Sequence, residues 1–390
     1  MSTTTISSFT LSRKPMIAVM AFTVCGTIFA GLASAQSQVS SLGGVTVITV
    51  QNPGAAGDLS NYKPMALPDN PIPSDATQAL LQAAMSAAPK GPSGFSAGFI
   101  GSGVMNPSSV GLPGAADSGV SSQDFGTNKH PFSTSRADLY TAATNTQYPY
   151  RAAGNLTFNI GNAGYICSAS LIKRGIAVTA AHCVANFGHS QFYTNWNFRP
   201  GYRSAVAPYG TWSVKQAWIL TAYYNGTDSC AVAGIVCTDD VALLILNTQS
   251  GAYPGTATGW YGYGYGGYGY VNNITQITQL GYPAGLDSAS LMERDDSYGY
   301  VSSGNSNNTI IGSNMNGGSS GGPWLVNFGI APTLTGETSG SAPGMDVIVG
   351  VTSWGYTSNT PKEQGAAPFL STNIQVLITA ACAATPAACL

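Results

Sequence analysis

The chain has 390 residues, a formal net charge of −2, and only 8% charged side chains against 44% hydrophobic ones. That length accommodates one large domain or two ordinary ones with appendages. A near-neutral chain without a Lys/Arg cluster excludes the electrostatic footprint of a nucleic-acid binder. Gly (48) and Tyr (20) stand in for ions, which favours turns and strands over helices.

In chain order, Arg13 and Lys14 close a polar n-region, Pro15 to Leu32 is apolar, and Ala33-Ser34-Ala35 is a small-residue cleavage site. This layout reads as a secretory signal peptide over residues 1–35, with export to an extracellular or periplasmic space. The alternative is an uncleaved anchor, because the apolar run approaches bilayer-spanning length. With the signal removed, no membrane association is expected.

From Gln36 to about residue 122 the sequence is rich in Gly, Pro, Ser and Ala. Such a stretch buries too little apolar surface to offset its chain entropy, so it reads as a pro-region or flexible leader. Within it, Ser74 to Ala88 has a helical stripe of Leu80, Leu81 and Met85 behind a Ser74 cap.

Beyond that point, residues 123–390 read as one all-β domain of strand-and-turn texture, natural for two packed barrels. The apolar or alternating runs are Asn155–Ile160, Tyr165–Leu171, Ile176–Thr179, Val241–Leu246, Ile274–Leu280, Asp346–Trp354 and Pro368–Ile374. The clearest helix is Asn373 to Ala384, at the end of the chain. Gly259 to Tyr270 is low-complexity and reads as a surface loop or strand connection, with an aromatic binding patch as the other reading.

Without Cys25 of the signal, six cysteines remain: Cys167, Cys183, Cys230, Cys237, Cys382 and Cys389. An even count in an exported chain reads as disulfides, and proximity in sequence groups them as 167–183, 230–237 and 382–389. No CxxC spacing is present and there are only three histidines, so neither a metal nor another cofactor is expected.

Three segments carry chemistry. Ile176 to Cys183 is an apolar strand ending in small residues that presents His182 beside a cysteine; a general base needs such fixed placement. Asp240 opens the apolar run Val241 to Leu246, where a buried carboxylate can accept an imidazole N–H. Asn316 to Trp324 holds Ser319 and Ser320 in a glycine-rich turn, which exposes a hydroxyl and aims the N–H groups of Gly318 and Ser320 at a developing oxyanion. His130 and His189 lack this strand and cysteine context.

The segments TAAHC, DVALL and GSSGGP, in this order, resemble the chymotrypsin-like (trypsin-like) serine peptidases from about residue 140 to the end. Cys167 to Ile172 is similar to the family's strand before the histidine, and Val351 to Gly355 to its substrate-pairing strand. Tyr148 to Ala152 and Gly281-Tyr282-Pro283 resemble the bacterial glutamyl-endopeptidase-like branch. The resemblance implies two six-stranded antiparallel β-barrels with a C-terminal helix, a His182–Asp240–Ser320 triad and an oxyanion hole from Gly318 and Ser320. It further implies a monomeric secreted endopeptidase acting on polypeptides, with Asn314, Ser353, Trp354 and Gly355 lining the substrate site.

Two departures matter. Ser319 stands where many relatives carry an aspartate that pairs with a newly cut N-terminus, so activation through that ion pair is not available. Asn314 makes an uncharged pocket floor, and Thr352 and Ser353 stand where glutamyl endopeptidases place a histidine. Small or apolar side chains are therefore the expected preference. Two other classes compete: a catalytically inactive relative serving as a binding protein, and an adhesion protein using the Gly/Tyr run.

Overall fold

The structure, a computed structural model, describes residues 37–42, 44–52, 62–66, 93–109, 124–126, 131–228, 238–271, 274–301, 309–332, 342–355 and 362–390. The signal region, the Ser74–Ala88 stripe and the Cys230–Cys237 pair lie outside them. Among the described residues, no helix is long and apolar enough to cross a membrane.

The segment before the barrels contributes strands β1 (Ser37–Leu42), β2 (Val45–Gln51), β3 (Lys63–Pro64) and β4 (Gly94–Ser96). Strand β5 (Phe132–Arg136) follows. The first barrel is built from β6 (Ala153–Ile160), β7 (Ala163–Lys173), β8 (Ile176–Thr179), β9 (Thr194–Pro200), β10 (Trp212–Leu220) and β11 (Ala242–Leu246). Strand β12 (Gly262–Tyr265) leads to the second. That barrel is built from β13 (Ile274–Gly281), β14 (Glu293–Val301), β15 (Thr309–Gly312), β16 (Pro323–Val326), β17 (Val347–Gly355) and β18 (Glu363–Pro368).

Pairing closes both sets into rings. In the first, the order β6–β7–β8–β11–β10–β9 returns to β6, antiparallel throughout. In the second, β13–β16–β17–β18–β15–β14 returns to β13, also antiparallel. The fold is thus two six-stranded antiparallel β-barrels, and closure removes the open edges that a sheet would otherwise present. Each ring is filled by inward side chains, such as Leu156, Phe158, Leu171 and Leu244 in the first and Ile277, Ile311 and Trp324 in the second. Helix α1 (Ile374–Ala384) closes the chain, its first N–H held by the Asn373 side chain. Disulfides join Cys167 to Cys183 and Cys382 to Cys389.

Three sequence readings change. The run expected to be a leader is in part docked on the barrels: β2 pairs with β10 and buries Val47, Ile48 and Val50. Its β-branched residues suit a strand, which is buried on both faces from Val47 to Val50, and the polar composition around them masked that signal. Pro368–Ile374 is not a strand; β18 ends at Pro368 and the chain turns into α1.

The Gly/Tyr run is neither a loose surface loop nor an exposed aromatic patch. Tyr261, Tyr263 and Tyr268 are buried, and β12 pairs with β17 in parallel and with β4. A Cβ at Gly264 would meet the Tyr268 ring at 2.5 Å. Alternating glycine does not dilute the aromatic packing; it makes room for it.

Candidate active site

Strand β8 ends at Thr179, and a single turn of 3-10 helix over Ala181–Cys183 carries His182 at the rim of the first barrel. The Cys167–Cys183 bridge ties that turn to β7, across the strand pair. Asp240 immediately precedes β11, which pairs with β8 in the register Thr179↔Ala242. The adjacent strands therefore set carboxylate and imidazole side by side. Asp240 Oδ2 lies 2.7 Å from His182 Nδ1, and Oδ1 accepts the His182 backbone N–H at 2.8 Å. Two contacts from one carboxylate fix both the ring and the peptide that bears it.

A third donor comes from the second barrel. Ser353 Oγ donates to Asp240 Oδ2 at 2.6 Å. Expected as a substrate-lining residue, Ser353 has its hydroxyl committed to the carboxylate. Asp240 is 0% exposed, so this buried charge is held by three hydrogen bonds, as burial of an ion requires. His189, by contrast, is exposed and bonds only to its local backbone; His130 lies outside the described residues.

Ser320 sits in the turn between β15 and β16. Its carbonyl accepts the Ser168 N–H at 2.7 Å, and Gly321 N donates to Thr352 O at 2.8 Å. These bonds stitch the turn to β7 of one barrel and β17 of the other. Gly321 has φ +76°, and a Cβ there would lie 2.7 Å from Ala180 N and 2.0 Å from Thr179 Oγ1. Only glycine allows the serine turn so close to the histidine turn. Both Ser320 Oγ and His182 Nε2 are buried atoms without a hydrogen-bond partner, and no bond joins them in this state.

The turn itself rests on uncharged groups. Ser319 Oγ donates to Asn316 O at 2.7 Å and receives Gln364 Nε2 at 3.3 Å. Gln364 also donates to Met315 O, while Gln279 donates to Thr352 Oγ1 at 2.7 Å and to Gln364 Oε1 at 2.6 Å. Ser313 Oγ completes the network by donating to Gln279 Oε1. Sequence reading missed both glutamines. The available signal was a glutamine at 279 on the same inward parity as the buried Ile277. Gln279→Leu strands several buried donors and acceptors and is expected to cost about 2 kcal/mol or more in urea unfolding. An unchanged midpoint would show that the network carries no stability.

At the expected pocket floor, Asn314 is half-buried, takes a hydrogen bond from Lys362 Nζ on its side-chain oxygen, and donates its N–H to Thr134 Oγ1. An ammonium therefore adjoins Asn314. Trp354 is fully buried, and a Cβ at Gly365 would strike its indole at 1.9 Å, so the flanking strand needs glycine there. Among the described residues, one group of possible metal donors clusters, Cys167, His182 and Cys183, and both of its sulfurs are spent in the disulfide.

The chain is similar to several known proteins. A protein named extracellular metalloprotease from Bacillus subtilis is 27% identical over 149 residues, covering 38% of this chain and 40% of the relative. A glutamyl endopeptidase from Bacillus licheniformis is 26% identical over 148 residues, covering 38% and 41%. The match thus spans about two fifths of the length of these relatives. The crystal structure of the protease Anisep from Arthrobacter nicotinovorans aligns with 24% identity and a TM-score of 0.47, covering 59% of this chain and 95% of that one. The family model described as Trypsin matches residues 140–375, more than half of the chain, and on that match the chain belongs to the trypsin family of serine peptidases.

Proposed function

We propose that the chain is an exported serine endopeptidase that cleaves polypeptides through an acyl-enzyme. The observation that carries this reading is the pinned imidazole: Asp240 holds His182 at Nδ1 and at the backbone, leaving Nε2 without a partner next to the turn of Ser320. In this reading Ser320 Oγ attacks the scissile carbonyl carbon while His182 Nε2 takes the hydroxyl proton. The same proton passes to the leaving amine as the C–N bond breaks, and water then releases the acyl group by the reverse relay. Asp240 keeps Nδ1 protonated and stabilises the cationic ring. Gly318 and Ser320 N–H groups hold the developing oxyanion. Two disulfides and family membership support a secreted setting.

Ser320→Ala, purified after export, is expected to hydrolyse an unfolded protein substrate about 10⁴-fold or more slowly than wild type. Equal hydrolysis by the two proteins would sink the reading and favour an inactive binding protein.

For selectivity, the Lys362 ammonium on Asn314 supports a preference for acidic side chains at the cleaved position, and the glutamyl endopeptidase relative is consistent with it. Lys362→Met is expected to lower kcat/KM for acidic-position peptides by about tenfold or more, the effect of losing one hydrogen bond to a charged group. Peptides with small apolar residues at that position should change little. A uniform loss across both sets would remove Lys362 from the pocket.

A further inference from the structure

Residues 62–66, Tyr-Lys-Pro-Met-Ala, run between the two barrels at the site just described. Lys63 and Pro64 pair with Tyr165 and Ile166 of β7 in parallel. Met65 N donates to Ile166 O at 2.8 Å, and Met65 O accepts the N–H of Gly318 at 2.9 Å. Upstream, the Tyr62 ring is buried and lies where a Cβ on Gly164 would come within 2.8 Å of it, with its hydroxyl on Asn159 Oδ1. On the other side, a Cβ at Gly317 would meet Met65 O at 2.8 Å and Ala66 Cα at 3.4 Å. The segment is therefore anchored on the first barrel and hydrogen-bonded to the glycine turn of the second.

We infer that residues 62–66 are a built-in inhibitor of this active site, with the Met65 carbonyl occupying the oxyanion donor of Gly318. The inference rests on the peptidase reading above and assigns that site its regulation. Three observations carry it. The amide of Gly318 has one proton, and a carbonyl that accepts it competes with the substrate carbonyl for the same place. Ser320 is 0% exposed and its Oγ is buried, so the nucleophile is covered in this state.

The third observation is the direction of the chain. For Met65 to be the cleaved residue, the residues before it would have to lie along Ser353 to Gly355 of β17, the strand that resembles the family's substrate-pairing strand. They lie instead along β7, on the opposite barrel, running parallel to it. Met65 offers its carbonyl to the oxyanion donor while its chain is threaded the wrong way for Ser320 to expel Ala66. A segment held in this way blocks without being consumed.

The test is made on the full chain, comparing wild type with a form whose residues 62–66 are replaced by five Gly/Ser residues. The readout is the rate of Ser320 labelling by a fluorophosphonate, with amide exchange at Gly318 as a second readout. Because the segment competes intramolecularly, at an effective concentration of about millimolar or above, its loss is expected to raise labelling by about tenfold or more. The Gly318 amide, freed of Met65 O, should exchange faster. Met65→Pro, which keeps the Tyr62 anchor but removes the N–H given to Ile166, should move both readouts the same way and guards against a replaced chain that fails to fold.

Equal labelling in wild type and both variants, with exported protein active, overturns the inhibitor and leaves the peptidase reading standing. Cleavage of the Met65–Ala66 bond in wild type, seen as a new N-terminus at Ala66, overturns it too, because the segment would then be a substrate. Absence of labelling in every form, together with inactive exported protein, overturns the peptidase reading and the inhibitor with it.

Discussion

Asp240→Asn is expected to lower turnover at neutral pH by about 10⁴-fold while leaving the fold intact. The carboxylate accepts three hydrogen bonds: His182 N–H on Oδ1, and both His182 Nδ1–H and Ser353 Oγ–H on Oδ2. An amide of the same shape keeps one accepting oxygen and turns an NH₂ toward donors. If that NH₂ faces His182 Nδ1, the ring takes the tautomer with its proton on Nε2, and Nε2 can no longer accept the proton of Ser320. If it faces the backbone, the His182 N–H loses its acceptor inside a fully buried site. The change is checked by steady-state hydrolysis of a peptide, with binding of an uncleavable analogue as the control. Loss confined to kcat, with analogue affinity retained, is the expected pattern. A fall of less than tenfold would mean that the imidazole is oriented by something else.

Glu293→Gln is expected to stabilise the protein by about 3 kcal/mol at pH 7, by more at higher pH, and to change little below pH 4. Glu293 opens β14 opposite Arg136 of β5 and is 0% exposed. Arg136 Nε lies 2.9 Å from the carboxylate of Asp138 and 3.7 Å from Asp287 Oδ2, and Arg203 Nε lies 2.7 Å from Asp138. Both oxygens of Glu293, and Oδ2 of Asp287, lack hydrogen-bond donors. Burial first, and then the Asp287 carboxyl beside it, push the Glu293 pKa from 4.5 up to about 9.

A proton held on Glu293 satisfies both groups, and the folded state binds it more tightly than the unfolded chain does. The resulting stability is complete below the unfolded pKa and is lost progressively as pH rises from about 4.5 toward 9. A glutamine carries its donors at every pH, so the gap between variant and wild type should open over that window. Unfolding midpoints measured from pH 4 to 9 decide it, and parallel curves would show that Glu293 does not hold the proton. Taking the difference between the two proteins removes the contribution of Asp346, whose buried carboxyl is also pushed up, to about 6.

What could be read in the sequence follows from how each residue signals its place. Ile176–Thr179 and Val241–Leu246 are apolar on both faces and bounded by turns, so their strands were legible, while the pairing that sets His182 beside Asp240 was implied only by the family resemblance. Glu293–Val301 was not legible, because a strand whose inward positions include Glu293, Asp295 and Ser297 has no apolar alternation to read. The docked strand Val45–Gln51 did carry β-branched residues, but its partner β10 lies far along the chain, and composition alone says nothing of such pairing. The bond from Ser353 to Asp240 was not legible for a related reason: the direction of its hydroxyl depends on what the other barrel brings.

The glutamine network under Ser319 has a consequence for how such an enzyme would be switched on. A turn held by neutral amides and hydroxyls from its own barrel waits for no new terminal ammonium and has no carboxylate for one to meet. On the inhibitor proposed above, latency is then a question of access and not of assembly. On that proposal activation amounts to lifting an obstruction, a step that mechanical displacement or a second protease can perform at a distance from the cleft.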